Sequence, residues 1–336
     1  MSRVDLDAYV AEHAGEWRRL EYLSHRRKLS ADEADELIAL YQRAATHLSV
    51  IRSRSPDPAL VARLSRMVLA GQSAITGTGG QRFGWQQVWR FLTVTFPLET
   101  YRARRWWITV SLVNLGIAAA LMAYVATNQS VAQALLGQDQ IEAIVDSQFA
   151  GYYSQFQPQN FAFAVWTNNA FLTAQVLVSG VLILPVFYLL GANILNLGVI
   201  GGIMIGHGRS DIFFGLILPH GLLELTAVFV GAGAGLRMGW AWISPGRHRS
   251  RGRALVETAR GAVLVALGLV LVLGLSGLLE GFVTPSALPA VLKVTLGVVA
   301  WVAFLVYVLV LGAQAARAGE SGDVEAHLRE ADVPTA

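Results

Sequence analysis

Cysteine is absent and lysine nearly so: the 336 residues include no cysteine, and Lys28 and Lys293 are the only lysines. The first absence excludes disulfides, thiolate metal sites and cysteine nucleophiles. The second leaves arginine to carry the positive charge. Charge of either sign is scarce, at 15% of residues, where a soluble domain carries about a quarter. The shortage is uneven. Residues 1–105 hold most of the charge, and 106–316 hold long runs almost free of it. With a hydrophobic fraction of 54% and a mean hydropathy of +0.47, this division predicts a soluble head and a membrane body. No GxxxxGK[ST], GxSxG or HExxH occurs, so the usual signatures of a nucleotide loop, a serine nucleophile or a zinc hydrolase are missing. The first twenty residues have no apolar core and no cleavage site, so no secretory signal peptide is expected.

The pI near 9.3 does not point to nucleic acid. The arginines cluster beside apolar spans, as positive-inside anchors do. Residues 1–82 read as a cytoplasmic helical domain. Val4, Leu6, Val10, Trp17, Leu20 and Leu23 recur at helical spacing, and Ser30 with Glu33 forms a capping-box pattern. Leu37, Ile38, Tyr41, Ala45, Leu48 and Ile51 are the expected apolar stripe of the helix that follows. Pro56 and Pro58 mark a break, and the glycines at 77, 79 and 80 a turn. Residues 83–105 mix aromatic and basic side chains, which predicts an amphipathic helix at the membrane interface.

Residues 106–313 are expected to be the transmembrane domain. Six apolar segments, 106–126, 163–185, 186–206, 212–236, 261–283 and 290–313, each approach the roughly 20 residues a helix needs to cross the hydrocarbon. Residues 128–168 contain no Lys or Arg but do contain Asp139, Glu142 and Asp146. By the positive-inside rule this loop is external, while the arginines before 106 and at 247–253 are cytoplasmic. Both termini are therefore expected in the cytoplasm, the second within a polar tail over 314–336. The third segment is the least regular, because Asn193, Asn196 and its glycines suit a broken helix as well as a full crossing. The fold expected is all-α: a polytopic bundle of about six transmembrane helices, with a soluble helical N-terminal domain.

The chemistry is concentrated in a few residues. His220 and Glu224, four apart, share one helix face. Pro219 removes a backbone hydrogen bond beside them, and Gly221 loosens the same turn. Ionisable groups in mid-membrane are costly and are functional candidates by default. Three readings stay open: a packing hydrogen bond, a proton or ion relay in a transporter, and a metal or acid–base site. The last ranks lowest, because two ligands are too few without a third, so no metal and no cofactor are assigned. Glu280 either snorkels to water or meets the His220 face, and Thr284 and Pro285 begin an external turn. Asn168, Asn169, Asn193 and Asn196 suit interhelical hydrogen bonding. Gly198 and Gly202, Gly231 and Gly235, and Gly277 and Gly281 form small-xxx-small faces for helix packing.

Taken in order, Asn193-x-x-Asn196-x-Gly198, Pro219-His220-Gly221-x-x-Glu224, the glycine run 231–235 and Glu280-Gly281-Phe282-x-Thr284-Pro285 resemble the stage II sporulation protein M family. The resemblance covers about residues 85–313, and the head before it is similar to that of the longer, non-sporulation members. It implies an envelope role: the founding member anchors a complex with a peptidoglycan-degrading partner and is not known as an enzyme. The expected function is a non-enzymatic scaffold or subunit of a cell-envelope complex, with a transporter or channel using the His/Glu site as the alternative. The expected partners are the lipid bilayer and proteins of a membrane complex, a second copy of the chain among them.

Overall fold

The computed structural model describes residues 6–26, 29–54, 57–75, 85–151, 157–246 and 249–320. The expected turn at 77–80, Pro56, Phe83, Arg247 and most of the tail at 314–336 lie outside the described residues. The described structure is helical throughout, and the chain divides into a unit ending at Val88 and a unit spanning Trp89–Gly322.

The first unit contains α1 (Leu6–Ser24), α2 (Ala31–Arg54) and α3 (Pro58–Ile75). The capping box at the start of α2 forms in both directions. Ser30 N donates to Glu33 Oε2 at 2.9 Å, and Glu33 N donates to Ser30 Oγ at 3.2 Å, satisfying two amides that a helix start leaves open. Asp57 caps α3 through Ala59 N at 2.9 Å. The buried stripe of α2 is Leu37, Leu40, Ala44, Leu48 and Ile51, packed with Trp17, Leu20, Leu23, Leu64 and Met67. Ile38 is 40% exposed, so the stripe is rotated from the one expected. The face that buries Leu37, Leu40, Ala44 and Leu48 turns Ile38, about 100° further round the helix, to its edge.

A histidine pair joins α1 to α2. The His13 and His47 rings stack with centroids 4.0 Å apart, and Trp17 Nε1 donates to His47 Nδ1 at 3.2 Å. Burial holds the His47 pKa below its ordinary value, and the charge of His13 adds to the effect. The unfolded chain therefore binds more protons in this window. The stabilisation is fully present above the ordinary histidine value of about 6.5 and is lost as pH falls through the folded value. Amide exchange in α1 and α2 of the full-length protein should speed up, beyond its chemical pH dependence, from about pH 7 to about pH 5. His47→Gln should remove that extra component. Protection that ignores pH in the wild type would refute this account.

The boundary between the units falls within α4 (Trp85–Arg90), after which the second unit continues with a π-helical turn (Phe91–Thr95) and α5 (Phe96–Arg102). Trp85 and Trp89 are exposed, but Phe96 to Thr100 are buried. The second half of the expected interfacial helix is therefore packed into the bundle, with the Phe96 ring filling the space a Cβ at Gly268 would take.

Among the described residues, six helical segments are long and apolar enough to cross a membrane: Arg104–Thr127, Pro158–Leu182, Leu184–Gly206, Ser210–Ile243, Arg251–Val283 and Ala290–Arg317. They contain α6 (Arg104–Thr127), α10 (Pro158–Ser179), α11 (Leu184–Gly206), α12 (Ser210–Ile243), α13 (Arg251–Leu278), α14 (Ala290–Val306) and α15 (Gly312–Arg317). Between the first two lie α7 (Gln129–Leu136), α8 (Gln138–Ala143), a π-helical turn (Ile144–Gln148) and α9 (Phe149–Gly151). The second span starts at Pro158, earlier than its hydropathy suggests, because proline at N1 begins a helix readily. The third segment is one continuous helix of 23 residues, about 35 Å at 1.5 Å per residue. Asn193 and Asn196 do not break it. Large apolar side chains such as Leu112, Leu184 and Val291 are exposed on the bundle's flanks, as suits a surface that lipid covers.

Helix α12 is central and packs on α6, α10, α13 and α14. Every residue from Ala227 to Leu236 is buried, so this stretch has no outward face. Its glycines let neighbours approach from different sides. A Cβ at Gly231 would meet Thr173 Cγ2 at 2.7 Å, and one at Gly235 would meet Leu177 O at 2.4 Å, both on α10. One at Gly233 would meet Trp107 N of α6 at 2.4 Å. In α11, Gly198, Gly202 and Gly206 lie against Leu121, Val125 and Ala126 of α6. Indole donors tie the helices further: Trp166 Nε1 to Val270 O at 3.0 Å and Trp301 Nε1 to Thr226 Oγ1 at 3.0 Å.

Candidate polar site in the membrane body

The sequence places His220 and Glu224 on one face of α12. The fold adds a third group from α13. That helix ends in a π-helical turn, Leu279–Val283, whose extra residue re-aims the side chains. Glu280 lies in this turn and is buried, 5% exposed. The close approach of α10 explains how it gets there. A Cβ at Gly277 would lie 3.0 Å from Ala162 O, and one at Gly281 would lie 2.8 Å from Pro158 O. Larger residues at these positions would hold α13 and its terminal turn away from α10.

The result is a compact cluster. His220 Nε2 lies 3.8 Å from Glu280 Oε1. One ligand-type atom from each of His220, Glu224 and Glu280 lies within 4.8 Å of the others. The histidine is held on its other side, with Nδ1 3.3 Å from Thr284 Oγ1. Thr284 Oγ1 donates to Leu279 O at 3.3 Å, and Lys293 Nζ donates to Thr284 O at 2.8 Å. Ser276 Oγ donates to His220 O at 3.2 Å, tying α13 to α12 beside Pro219. Gly297 of α14 sits on Pro219, where a Cβ would lie 2.4 Å from Pro219 O. Glu224 Oε2 is buried with no hydrogen-bond partner.

Beside the cluster is a cavity of about 590 Å³ lined by Asn160, Phe161, Ala164, Val165, Asn168, Asn169, Glu224 and Glu280. Five of these side chains are polar. The structure thus brings together His220, Glu224, Glu280 and Thr284, and sets Asn168 and Asn169 along the approach. It does not bring in Asn193 or Asn196. They lie on α11, half-buried and exposed respectively, and do not line the cavity. His207 is occupied elsewhere, with Nδ1 2.8 Å from Ile203 O. Asn160 and Ser276 were missed by the sequence reading. Asn160 precedes the apolar run and reads as loop, while a serine within an apolar helix carries no signal by itself.

A second polar cluster was also missed. Glu99 of α5, only 6% exposed, accepts from Arg102 and lies 3.7 Å from Arg237 of α12. In sequence these are one acid among many arginines and one arginine at a helix end.

A family model described as Stage II sporulation protein M matches residues 110–285, just over half of the chain. A separate model, a domain of unknown function (DUF8413), matches residues 7–77. No curated protein and no solved structure matches this chain. The six apolar helices and a family match over more than half the length place this multi-pass membrane protein in the stage II sporulation protein M family.

Proposed function

We propose that the protein is a membrane transporter or channel for a small cation, the proton included, with His220, Glu224 and Glu280 as its binding site. The observation that carries this reading is the cavity of about 590 Å³, lined by three asparagines and two glutamates, that reaches the cluster. A site that served packing alone would be filled, because polar groups in lipid are normally satisfied by neighbouring side chains. Ionisable groups facing a cavity between membrane-spanning helices are the usual markers of ion and proton paths. Both termini are placed in the cytoplasm in this reading. Arg104 and Arg105 at the start of α6 and Arg251 and Arg253 at the start of α13 lie at cytoplasmic ends, while 128–157 carries no Lys or Arg.

The lack of native cysteine makes the test direct. A single cysteine at Ala164, on the cavity wall, should react with a small charged thiol reagent added outside. One at Leu223, 1% exposed in the core, should stay silent. A silent Ala164→Cys in folded protein would remove the transporter reading.

A second reading makes the protein a non-enzymatic scaffold of an envelope complex. What favours it is the separate N-terminal unit with its own hydrophobic core, suited to holding a partner. Abundance separates the two. Under the transporter reading His220→Gln and Glu280→Gln lose function at normal abundance. Under the scaffold reading, abundance, complex formation and function fall together.

A further inference from the structure

The cluster at the end of the cavity has an unusual charge balance. Two carboxylates and an imidazole meet in the membrane body, and among the described residues neither carboxylate is ion-paired with Lys or Arg. Burying unbalanced carboxylates is costly, and a divalent cation would balance both. The histidine is also arranged as a ligand. In the tautomer with its proton on Nδ1, the histidine donates to Thr284 Oγ1 while the Thr284 hydroxyl donates to Leu279 O. That tautomer presents the Nε2 lone pair on the side where Glu280 Oε1 lies, 3.8 Å away. A metal-binding histidine characteristically gives its other ring N–H to a neighbouring acceptor in this way.

We propose that His220 Nε2 and one carboxylate oxygen each from Glu224 and Glu280 form a site for a divalent transition-metal cation of the Zn²⁺ or Mn²⁺ class, with cavity water completing its coordination. The three ligand atoms all lie within 4.8 Å of one another, so a single ion would draw them inward. Ligands about 2.1 Å from a tetrahedral zinc are about 3.4 Å apart, and Nε2 and Oε1 are 3.8 Å apart here. Glu224 Oε2, buried without a hydrogen-bond partner, supplies a further acceptor. Three protein ligands with a wet fourth position describe an exchangeable site rather than a closed structural one. This deepens the transporter reading and rests on it for its biological sense, since it names the class of cation the cavity serves.

The head holds another group of the same ligand types, His13, Glu16 and His47. There the two imidazoles are stacked, so their lone pairs do not converge. Trp17 Nε1 already donates to His47 Nδ1, and Arg43 donates to Glu16 Oε1 at 2.7 Å. That group serves as an internal control.

The test uses tag-free, full-length protein in detergent, stripped with a chelator and dialysed against Zn²⁺. Co²⁺ absorption gives a second readout on the unmodified protein. One Zn²⁺ per chain is expected, with Co²⁺ bands of nitrogen and oxygen ligation. His220→Gln and Glu280→Gln should each weaken binding by about 100-fold or more, and Thr284→Val by about tenfold, in the range for losing a supporting hydrogen bond. His13→Gln should change nothing. Absence of binding, or binding unaltered in His220→Gln and Glu280→Gln, would overturn the metal site. If Ala164→Cys still labelled in that case, the cavity reading would survive the loss. Zn²⁺ binding with a silent Ala164→Cys would keep the metal site and remove the transporter reading.

Discussion

Gly233→Ala should sharply reduce the yield and melting temperature of the extracted protein, although alanine is normally the better helix former. A Cβ at this position would lie 2.4 Å from Trp107 N and 2.5 Å from Trp107 Cα. These are backbone atoms, so no side chain can rotate out of the way. Trp107 is itself fixed, because its Nε1 donates to Thr100 O at 3.1 Å and it is 4% exposed. The two helices must move apart, and α12 cannot shift freely because α10, α13 and α14 hold its other sides. Overpacking in a core costs about 1–3 kcal/mol and occasionally more. A backbone contact on the central helix belongs at the upper end. Gly191→Ala is the control: nothing lies within 4 Å of a Cβ there. It should be neutral or slightly stabilising, since glycine costs about 1 kcal/mol in a helix interior. The measurement is the melting temperature of each variant in one detergent. Equal behaviour of the two substitutions would show that α6 and α12 do not approach as described.

Glu99→Gln should also destabilise the membrane body strongly, and through charge rather than volume. Glu99 is the shared counter-ion of Arg102 and Arg237, and its side chain is 8% exposed while theirs are 32% and 30%. The amide keeps the shape and removes the charge, leaving Arg237 inside the bundle near a second guanidinium. Removing one partner of a fully buried pair costs about 3–5 kcal/mol. Both arginines are close to a third exposed, so solvent screening lowers the expected loss to about 2 kcal/mol. Arg237→Gln added to Glu99→Gln should recover part of it, because the double variant no longer holds the Arg237 charge beside Arg102 without the Glu99 carboxylate. Thermal melts of the two single variants and the double variant close the cycle. Strict additivity would mean the two groups are not coupled. By contrast Glu257→Gln, which removes exposed pairs with Arg249 and Arg253, should change stability by about 1 kcal/mol or less.

These two effects arise where the sequence is hardest to read. Gly233 sits in a run of alternating glycine and alanine that suggests a single packing face. In the structure Gly231 and Gly235 meet α10 while Gly233 meets α6, so the run serves two interfaces. Glu99 falls in a stretch that reads as an amphipathic surface helix. The tight fit of Phe96 on Gly268 draws that stretch inward and takes Glu99 with it.

The sequence by itself determined the number and order of the apolar spans, the capping box at Ser30 and Glu33, and the common face of His220 and Glu224. Each is a local property: span length is set by bilayer thickness, capping by groups three residues apart, and a shared face by helical period. Only the tertiary structure decided that Glu280, Thr284 and Ser276 reach His220 while Asn193 and Asn196 do not. In lipid the helix flanks are as apolar as the helix contacts, so hydrophobic pattern does not reveal which faces meet. Partner choice lies in the close approaches at Gly277, Gly281 and Gly297, and in the π-helical turn that carries Glu280. These depend on the fit between helices distant in the chain, and no window of the sequence contains both sides of that fit.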